Sequence, residues 1–429
     1  MSREQLSFVR SHILPEAPPP TAETGAVKWL RENLFSSPAN TLLTLVSAYV
    51  VLMIATGAAP WFINGIWDSP SLTACREILG GKAGGCFAVL TERWNQLLFG
   101  FKYPPDLYWR PTIAFVLLFV AVAPVLFIKY LPRKLLVFTG LYPFIAFWLI
   151  WGGPIATPVF ALLGVLFGVF VYFRLLQTSA GVAVIAGFLA ALVFWILSGY
   201  LTLPFDGFLA MEAVPSRDMG GFMINLMLGV VCVSLSLPIG ILLALGRQSS
   251  MPIIKWICVV FIEFIRGVPL ITLLFVANVV LAYFLPPGTN FDLILRVIIM
   301  ITMFSSAYIA EVIRGGLAAL PRGQYEAADS LGLDYAQSMQ LIILPQALKI
   351  SIPGIVNVAV GLFKDTTLVS VISMFDIVGM IRGPILASPE WNGVYWEVFG
   401  FACVLFFITC YGISQYSQWL ERQLQTDHR

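Results

Sequence analysis

The chain has very little histidine and no recognisable nucleotide-binding loop. Only two histidines occur in 429 residues, His12 and His428, so histidine-based catalysis and a zinc site are not expected. The order Gly-x-x-x-x-Gly-Lys-Ser/Thr, which would cradle nucleotide phosphates, is also missing. We therefore expect no catalytic residue, no metal and no bound cofactor on this chain. If ATP drives the protein, another chain must bind it.

Charged residues are also scarce. They make up 11% of the chain, and hydrophobic residues make up 59%, whereas a soluble domain carries about 25% charged residues. The net charge of +2 is too small to suggest nucleic-acid binding, and no basic run is interleaved with aromatic residues. This composition indicates a protein that lies in a lipid bilayer.

Ten apolar runs approach or exceed the roughly 20 residues that a helix needs to cross a bilayer. Because unpaired backbone groups are not tolerated in lipid, each run is predicted to be a helix. The predicted fold class is therefore all-α transmembrane with about ten helices. The runs are 41–63, 112–128, 135–151, 157–173, 182–203, 222–245, 256–285, 293–313, 351–375 and 395–417.

The distribution of Lys and Arg predicts the orientation of these helices. Short cytoplasmic loops carry an excess of both residues, and an alternating path through ten helices places the basic loops on one side throughout. That side also receives the polar amino-terminal tail, residues 1–40, and the carboxyl terminus. The long loop 64–110 carries both basic and acidic residues, and we place it outside. Both termini are therefore predicted to be cytoplasmic.

Cys75 and Cys86 are the two cysteines outside the predicted helices, and both lie in the outer loop. In an oxidising compartment they could form a disulfide that closes the Gly-rich stretch 80–85. The alternative is two free thiols, and the sequence does not choose between them.

A polar segment, residues 324–345, interrupts the apolar runs on the cytoplasmic side. Gly323 allows a turn before a short helix, and Gly332 suits the left-handed position after that helix ends. Asp334 is predicted to cap a second helix, and Pro345 to discourage its simple continuation into the next span. We expect a compact knob in which Ala327 and Ala328 are small enough to enter a cleft.

Five stretches give this chain a family resemblance. The order Glu-Ala-Ala, Gly, Ile-Leu-Pro in the polar segment resembles the EAA signature of permease subunits in ATP-binding-cassette (ABC) importers. Five stretches resemble the polar amino acid subfamily of these permeases and occur in the same order as in that subfamily. The fourth of them leads into the EAA signature. The stretches are 243–247, 263–270, 307–316, 321–328 and 364–368.

The resemblance implies a docking role for the polar segment, which in this family contacts a cytoplasmic ATPase and transmits its closure to the membrane helices. An isolated Glu-Ala-Ala would be only an amphipathic connector. The positions that the resemblance assigns to coupling are Glu326, Ala327, Ala328, Gly332 and Pro345.

The same resemblance divides the chain into parts. It implies a five-helix permease core of the type I importer fold over residues 222–420, preceded by a polar linker at 206–221. Residues 41–205 resemble, in length and layout, the extension found in larger permeases of broad-specificity amino acid importers. The sequence does not select a role for this extension.

Polar residues inside the predicted span 351–375 are candidates for the substrate path. Lys364 and Asp365 lie near its middle, where a charge costs at least a few kcal/mol unless it is paired or hydrated. One hypothesis is that Lys364, Asp365, Thr366, Thr367 and Glu311 form or gate a polar amino acid site. The alternative is a structural network, or a position where the helix breaks.

The sequence thus predicts a non-enzymatic permease subunit of a bacterial inner membrane importer for polar L-amino acids. The substrates would be glutamate, glutamine, aspartate and asparagine, or amino acids in general. The resemblance implies an ABC ATPase dimer that binds ATP and Mg, a periplasmic amino acid binding protein, and a second permease subunit, with a heterodimer favoured. One alternative is an ion- or proton-coupled secondary amino acid transporter. The other is a membrane-embedded enzyme or assembly scaffold, for which the sequence offers no obvious nucleophile, base or metal cluster.

Overall fold

The computed structural model describes residues 25–177, 180–201, 205, 207–280 and 292–425. Several positions used above lie outside these residues, namely most of the tail 1–40, Asp206 in the predicted linker and the end of the predicted run 256–285. Secondary structure in the described part of the chain is helical apart from three isolated β-bridges. The predicted all-α class is confirmed.

Eighteen α-helices are described. The first nine are α1 Gly25–Asn33, α2 Pro38–Ile63, α3 Leu72–Leu79, α4 Ala88–Glu92, α5 Trp94–Phe99, α6 Trp109–Leu126, α7 Leu136–Trp151, α8 Ala156–Leu175 and α9 Ala180–Leu201. The others are α10 Gly221–Arg247, α11 Pro252–Gly267, α12 Leu270–Phe275, α13 Leu293–Ala318, α14 Arg322–Ser330, α15 Tyr335–Ser338, α16 Leu344–Asp365, α17 Ile377–Met380 and α18 Tyr395–Gln425.

Within the described residues, nine helical stretches are long and apolar enough to cross a membrane, and a bent pair makes a tenth span if it is counted as one. This agrees with the ten predicted runs. The bent pair consists of α11 followed by α12 and the π-helix Val276–Val280, and the axis turns by 102° between its two parts.

The sharp bend corrects the expectation of one straight helix from residue 256. Val268 has extended backbone angles and ends α11, and Pro269 then precedes α12. Proline has no backbone N–H and disfavours the helical conformation of the residue before it. The apolar run continues through this position, so hydropathy alone does not reveal the break.

Helices α10, α13 and α16 pack closely through glycines. A Cβ atom added at Gly240 of α10 would lie 2.6 Å from Cγ2 of Ile309 on α13, and one at Gly316 would lie 2.6 Å from the carbonyl oxygen of Ala347 on α16. Small residues allow helices to approach where lipid supplies no hydrophobic driving force between them. These contacts hold together the helices that present the candidate site.

Two helix pairs precede this core. The Thr139 hydroxyl of α7 donates to the Ala121 carbonyl of α6 at 2.6 Å, and the Trp195 indole of α9 donates to the Ala161 carbonyl of α8 at 2.9 Å. Residues after α9 return to this region, since the backbone N–H of Val214 donates to the Trp151 carbonyl at 2.8 Å. The predicted linker is thus bonded to the end of α7.

Residues 25–66 and 75–86 belong to a separate compact unit. The Ser37 side chain caps α2 by accepting from the backbone N–H of Asn40 at 3.2 Å. The stretch before Cys86 pairs with the end of this helix, because the N–H of Gly85 donates to the Trp61 carbonyl at 2.9 Å. Cys75 and Cys86 are joined as a disulfide, with Cα atoms 5.9 Å apart.

Candidate functional site

The polar segment folds as a short helix, a glycine stop and a second helix. Helix α14 ends at Ser330, and Gly332 follows with φ of +70°. The N–H of Leu333 donates to the Ala328 carbonyl and that of Gly332 to the Asp329 carbonyl, the paired bonds of a Schellman stop. The left-handed angle is one that glycine adopts without steric penalty.

The second helix starts with a capping box. The Asp334 carboxylate accepts from the backbone N–H of Gln337 at 2.8 Å, and the Gln337 side chain accepts from the N–H of Asp334 at 3.2 Å. Both bonds satisfy backbone donors that the first turn of a helix leaves unpaired. Asp334 therefore fixes the direction in which α15 leaves Gly332.

The expectation of a turn at Gly323 is wrong, whereas the expectation that Pro345 discourages simple continuation of the helix agrees with the structure. Gly323 lies inside α14, and Pro321, with extended backbone angles, makes the turn before it. Pro345 lies in the first turn of α16, and the helical backbone continues from α15 to α16 through the π-helix Met339–Ile343. The wider π turn occurs immediately before Pro345, whose ring would clash with a regular helix.

The inner side of the polar segment is packed against the membrane helices. Met339 and Ile343 are buried in an apolar cluster with Ile313 and Leu317 of α13. The Gln346 side chain donates to that of Gln324 at 2.9 Å, which connects α14 to α16. A displacement of the polar segment would therefore be passed to α13 and α16 through these contacts.

The outer side of the segment differs from the expectation for its alanines. Ala328 is fully buried within the chain, whereas Ala327 and Glu326 are exposed. Large apolar side chains are exposed there, which sequence reasoning did not single out. Their exposed fractions are 72% for Leu331, 62% for Tyr335 and 65% for Leu341.

Glu311 is the centre of a charge cluster formed by three helices. Its carboxylate pairs with Arg247 of α10 at 3.3 Å, with Arg266 of α11 at 3.7 Å, and with Arg314 one turn later on α13. Arg247 also bonds to Glu263 of α11 at 2.9 Å. Three cations thus face two carboxylates, and each helix contributes at least one charge.

The candidate residues at 364–367 lie where the helix type changes. Helix α16 ends at Asp365, and the 3-10 helix Thr366–Ile372 follows. The prediction that Lys364 and Asp365 lie near the middle of a regular helix is therefore wrong. The structure agrees instead with the alternative, a position where the helix breaks, because the α-helix is replaced by a 3-10 helix here. The apolar pattern continues past residue 365, so hydropathy does not indicate this change.

These four side chains lie in three different surroundings. Lys364 and Thr367 line a groove with α18, and Asp365 lines a different cavity with α13. Thr366 is buried and accepts a hydrogen bond from Asn225 of α10 at 2.9 Å. Glu311 lines neither space, so the five candidates do not form one site.

The cavity that Asp365 lines is small. Its volume is about 230 Å³, and its polar wall groups are Asp365, the Ser305 side chain and Tyr308. The guanidinium carbon of Arg266 lies 5.6 Å from the centre of the Tyr308 ring, a cation–π distance. Tyr308 therefore shares a cavity with the Asp365 carboxylate and also contacts the Arg266 guanidinium.

Sequence reasoning missed a buried polar network that connects α10 to the start of α17. Asn225 donates to Asp376 at 3.2 Å, and the Asp376 carboxylate also accepts from the backbone N–H of Gly379 at 2.9 Å. Asp376 is fully buried and starts α17. Its position as an acidic residue directly before an apolar four-residue stretch is the signal of a helix cap that could have found it.

Comparisons with known proteins agree with this architecture. Residues 236–418 match the family described as binding-protein-dependent transport system inner membrane component. The chain is 52% identical, over 99% of both proteins, to the glutamate/glutamine/aspartate/asparagine transport system permease protein BztC of Rhodobacter capsulatus. It is 37% identical to the inner membrane amino-acid ABC transporter permease protein YhdY of Escherichia coli, covering 96% of this chain and 98% of that one.

A solved structure, described as an amino acid ABC transporter with histidines, is 32% identical, covers 47% of this chain and 92% of its own, and superposes with a TM-score of 0.42. The relative at 52% identity covers the chain almost from end to end. The chain therefore belongs to the binding-protein-dependent transport family and is a membrane permease subunit, a transporter component rather than an enzyme.

Proposed function

We propose that this chain is the permease subunit of an ATP-driven importer of polar L-amino acids, with glutamate, glutamine, aspartate and asparagine as first candidates. The observation that supports this most is the 52% identity, over 99% of both chains, with a permease named for those four amino acids. The extension is part of that match as well as the core, so the whole chain resembles the relative.

The polar segment would dock onto a cytoplasmic ATPase dimer that binds ATP and Mg. Exposed Leu331, Tyr335 and Leu341 would enter a cleft of the ATPase, with Ala327 and Glu326 beside them. Apolar side chains at the tip of an otherwise polar segment favour a protein partner over water. Met339 and Ile343, buried against α13, would transmit movement of the ATPase to the membrane core.

The proposed location is the inner membrane, with both termini and the polar segment in the cytoplasm. The excess of Lys and Arg in the loops on that side supports this orientation. Loop 64–110 would then face the periplasm, where the Cys75–Cys86 disulfide would be stable. A periplasmic amino acid binding protein would deliver substrate on the same side.

We further propose that residues 222–420 form the five-helix core and 41–205 the extension. The family match over residues 236–418 supports the position of the core. Five helices would enclose a path only together with a second permease subunit, and a chain with a large extension favours a distinct partner. Within the core, Asp365 would bind the ammonium group of the substrate in the cavity beside Tyr308.

The proposal is tested by purifying the full chain from its native membrane with the subunits that accompany it. We expect an ATPase and a second permease, and ATP-dependent uptake of labelled glutamate and glutamine when the complex is reconstituted with its binding protein. A matched preparation with a catalytically inactive ATPase should take up neither. Uptake that persists with the inactive ATPase would instead support ion- or proton-coupled transport.

A further inference from the structure

A second, larger cavity has no place in the proposed transport mechanism. Its volume is about 920 Å³, and it lies between the end of α7, the residues before α10 and the start of α13. Its wall includes Trp151, Arg217, Leu295 and Arg296. Ligand pockets in proteins have volumes of about 300–1,000 Å³, so the space is large enough for a bound molecule.

Two arginines, Arg217 and Arg296, line this cavity, and neither has a carboxylate partner among the described residues. Arg296 donates from Nη1 to the Asn278 carbonyl at 3.2 Å, and its Nε is buried with no hydrogen-bond partner among the described residues. Asp292, one turn earlier, also lines the cavity, and its Oδ1 accepts from the backbone N–H groups of Ile294 and Leu295 as the cap of α13.

Arg217 is positioned by the bonds of the segment that carries it. It belongs to the 3-10 helix Ser216–Asp218, and the Trp151 indole donates to the Ser216 hydroxyl at 2.9 Å. A buried guanidinium nitrogen without a partner is unfavourable, and guanidinium groups bind phosphate through paired hydrogen bonds. The chemistry of the cavity is therefore that of an anion site.

The rest of the cavity wall favours an amphiphile over a free anion. Leu295 of α13 and Phe147 of α7 line the cavity and are 45% and 38% exposed. Both lie on membrane-length helices, where exposed apolar side chains face lipid chains. Ile299, one turn after Leu295, is exposed on the same helix. A ligand with an anionic head and apolar chains would satisfy the arginines and cover these side chains together.

We propose that this cavity binds an anionic glycerophospholipid, with its phosphate on Arg217 and Arg296 and its acyl chains along Leu295 and Ile299. Basic pockets between membrane helices on the cytoplasmic or matrix side bind anionic lipid headgroups, and the same guanidinium–phosphate chemistry would act here. The site connects the extension to the core, because α7 lies on one side of it and α13 on the other. Its place in the outer leaflet rests on the topology proposed above, but binding itself does not depend on transport.

The test is native mass spectrometry of the full chain, purified with its accompanying subunits and titrated with phosphatidylglycerol. Phosphatidylcholine serves as the zwitterionic control and free glutamate as a competitor. We expect phosphatidylglycerol to bind preferentially and Arg296→Gln to weaken that binding about tenfold, since a charge-assisted contact is lost. Arg217→Gln removes an exposed side chain and should weaken binding without affecting folding.

Arg296→Lys keeps the charge and should keep most of the binding. Arg76→Gln, which removes one arginine from loop 64–110 outside the cavity, should keep all of it. Equal binding of both lipids, or unchanged binding in the Arg217 and Arg296 variants, would overturn the proposal. Displacement of the lipid by glutamate would also overturn it, and would identify the cavity as a site for free carboxylates.

Discussion

The Arg247 side chain of α10 bonds to the Glu311 carboxylate of α13, with Nη1 and Oε2 3.3 Å apart, although 64 residues separate them in the chain. Arg247 is the last residue of its helix and reaches Glu263 of α11 as well. Glu311 also forms ion pairs with Arg266 and Arg314, so its carboxylate links α10, α11 and α13.

Replacement of Glu311 by Gln should therefore destabilise the helix core. The change leaves three half-buried arginines with only Glu263, and we expect a loss of about 1–3 kcal/mol, seen as a lower melting temperature of the detergent-solubilised complex. The control is Glu32→Gln, which removes an exposed i,i+4 pair with Lys28 and should change stability by less than about 0.5 kcal/mol. Equal melting temperatures for both variants would contradict this assignment.

Adjacent Gly315 and Gly316 should respond differently to alanine. Both lie within α13, and only Gly316 faces α16 closely, where an added Cβ would lie 2.6 Å from the Ala347 carbonyl oxygen. Gly316→Ala should destabilise the protein by about 1–3 kcal/mol through overpacking. Gly315→Ala meets open space and should be neutral or stabilise by up to about 1 kcal/mol, because alanine favours a helix. Thermal melting of the two variants side by side checks the prediction.

Gly332→Asp should insert and fold but fail to transport. An added side chain at Gly332 meets no atom within 4 Å, and aspartate tolerates the left-handed angle better than most residues. The new carboxylate would stand among the exposed apolar residues that we assign to the ATPase contact. The expected result is normal membrane protein levels with loss of binding-protein-stimulated ATP hydrolysis.

The matched variant is Gly332→Asn, which has the same shape without the charge and should retain most of the coupling. Normal uptake by Gly332→Asp would argue strongly against the proposed docking role. Equal loss in both variants would indicate that backbone conformation, and not the surface at this point, controls coupling.

Asp365→Asn should raise the KM for amino acid uptake about tenfold, the approximate effect of losing one charged hydrogen bond to an ammonium group. Protein levels should stay near normal, because Asp365 lines a cavity and asparagine keeps its size and its capacity to accept a hydrogen bond. Uptake kinetics with reconstituted complex provide the measurement, and Glu92→Gln, an exposed carboxylate outside the core, is the control. Reduced protein with an unchanged KM would indicate a purely structural residue.

The Cys75–Cys86 bond should be present in protein isolated from its native membrane. Alkylation without reductant, followed by mass spectrometry, should label neither cysteine. Replacing both by Ser should lower the stability of this loop by about 2–3 kcal/mol, as expected for a short closed loop. Two alkylated thiols in the untreated protein would refute the bond.

Hydropathy and charge predicted the membrane class and nearly all spans. Lipid imposes the same demand on every spanning helix, so about 20 apolar residues suffice to identify one without knowledge of its neighbours. The glycine stop at 332 and the cap at Asp334 were also predictable, because each depends on residues within one or two helical turns. Pro269 is a local signal from which the end of α11 could have been predicted. The prediction missed it because the residues on both sides are apolar and form one continuous hydropathic run.

The site residues show where sequence reasoning ends. Lys364, Asp365 and Thr366 are consecutive, yet they face a groove, a cavity and a buried network. Successive side chains of a helix point about 100° apart, and the packing of other helices around this one decides what each of them meets. Asn225 and Asp376 are 151 residues apart, and no local pattern in either half indicates the other.

The sequence by itself determined the all-α membrane class and the helix–glycine–helix form of the polar segment, because those properties depend on local composition and on short-range backbone chemistry, and its motifs carried the resemblance to ABC importer permeases. Only the tertiary structure decided that Glu311 joins three arginines, that Ala328 is buried while Leu331 and Tyr335 are exposed, and that Asp365 faces a cavity. These outcomes depend on contacts between distant helices, and the direction of a side chain is set by the packing of its whole helix against the others.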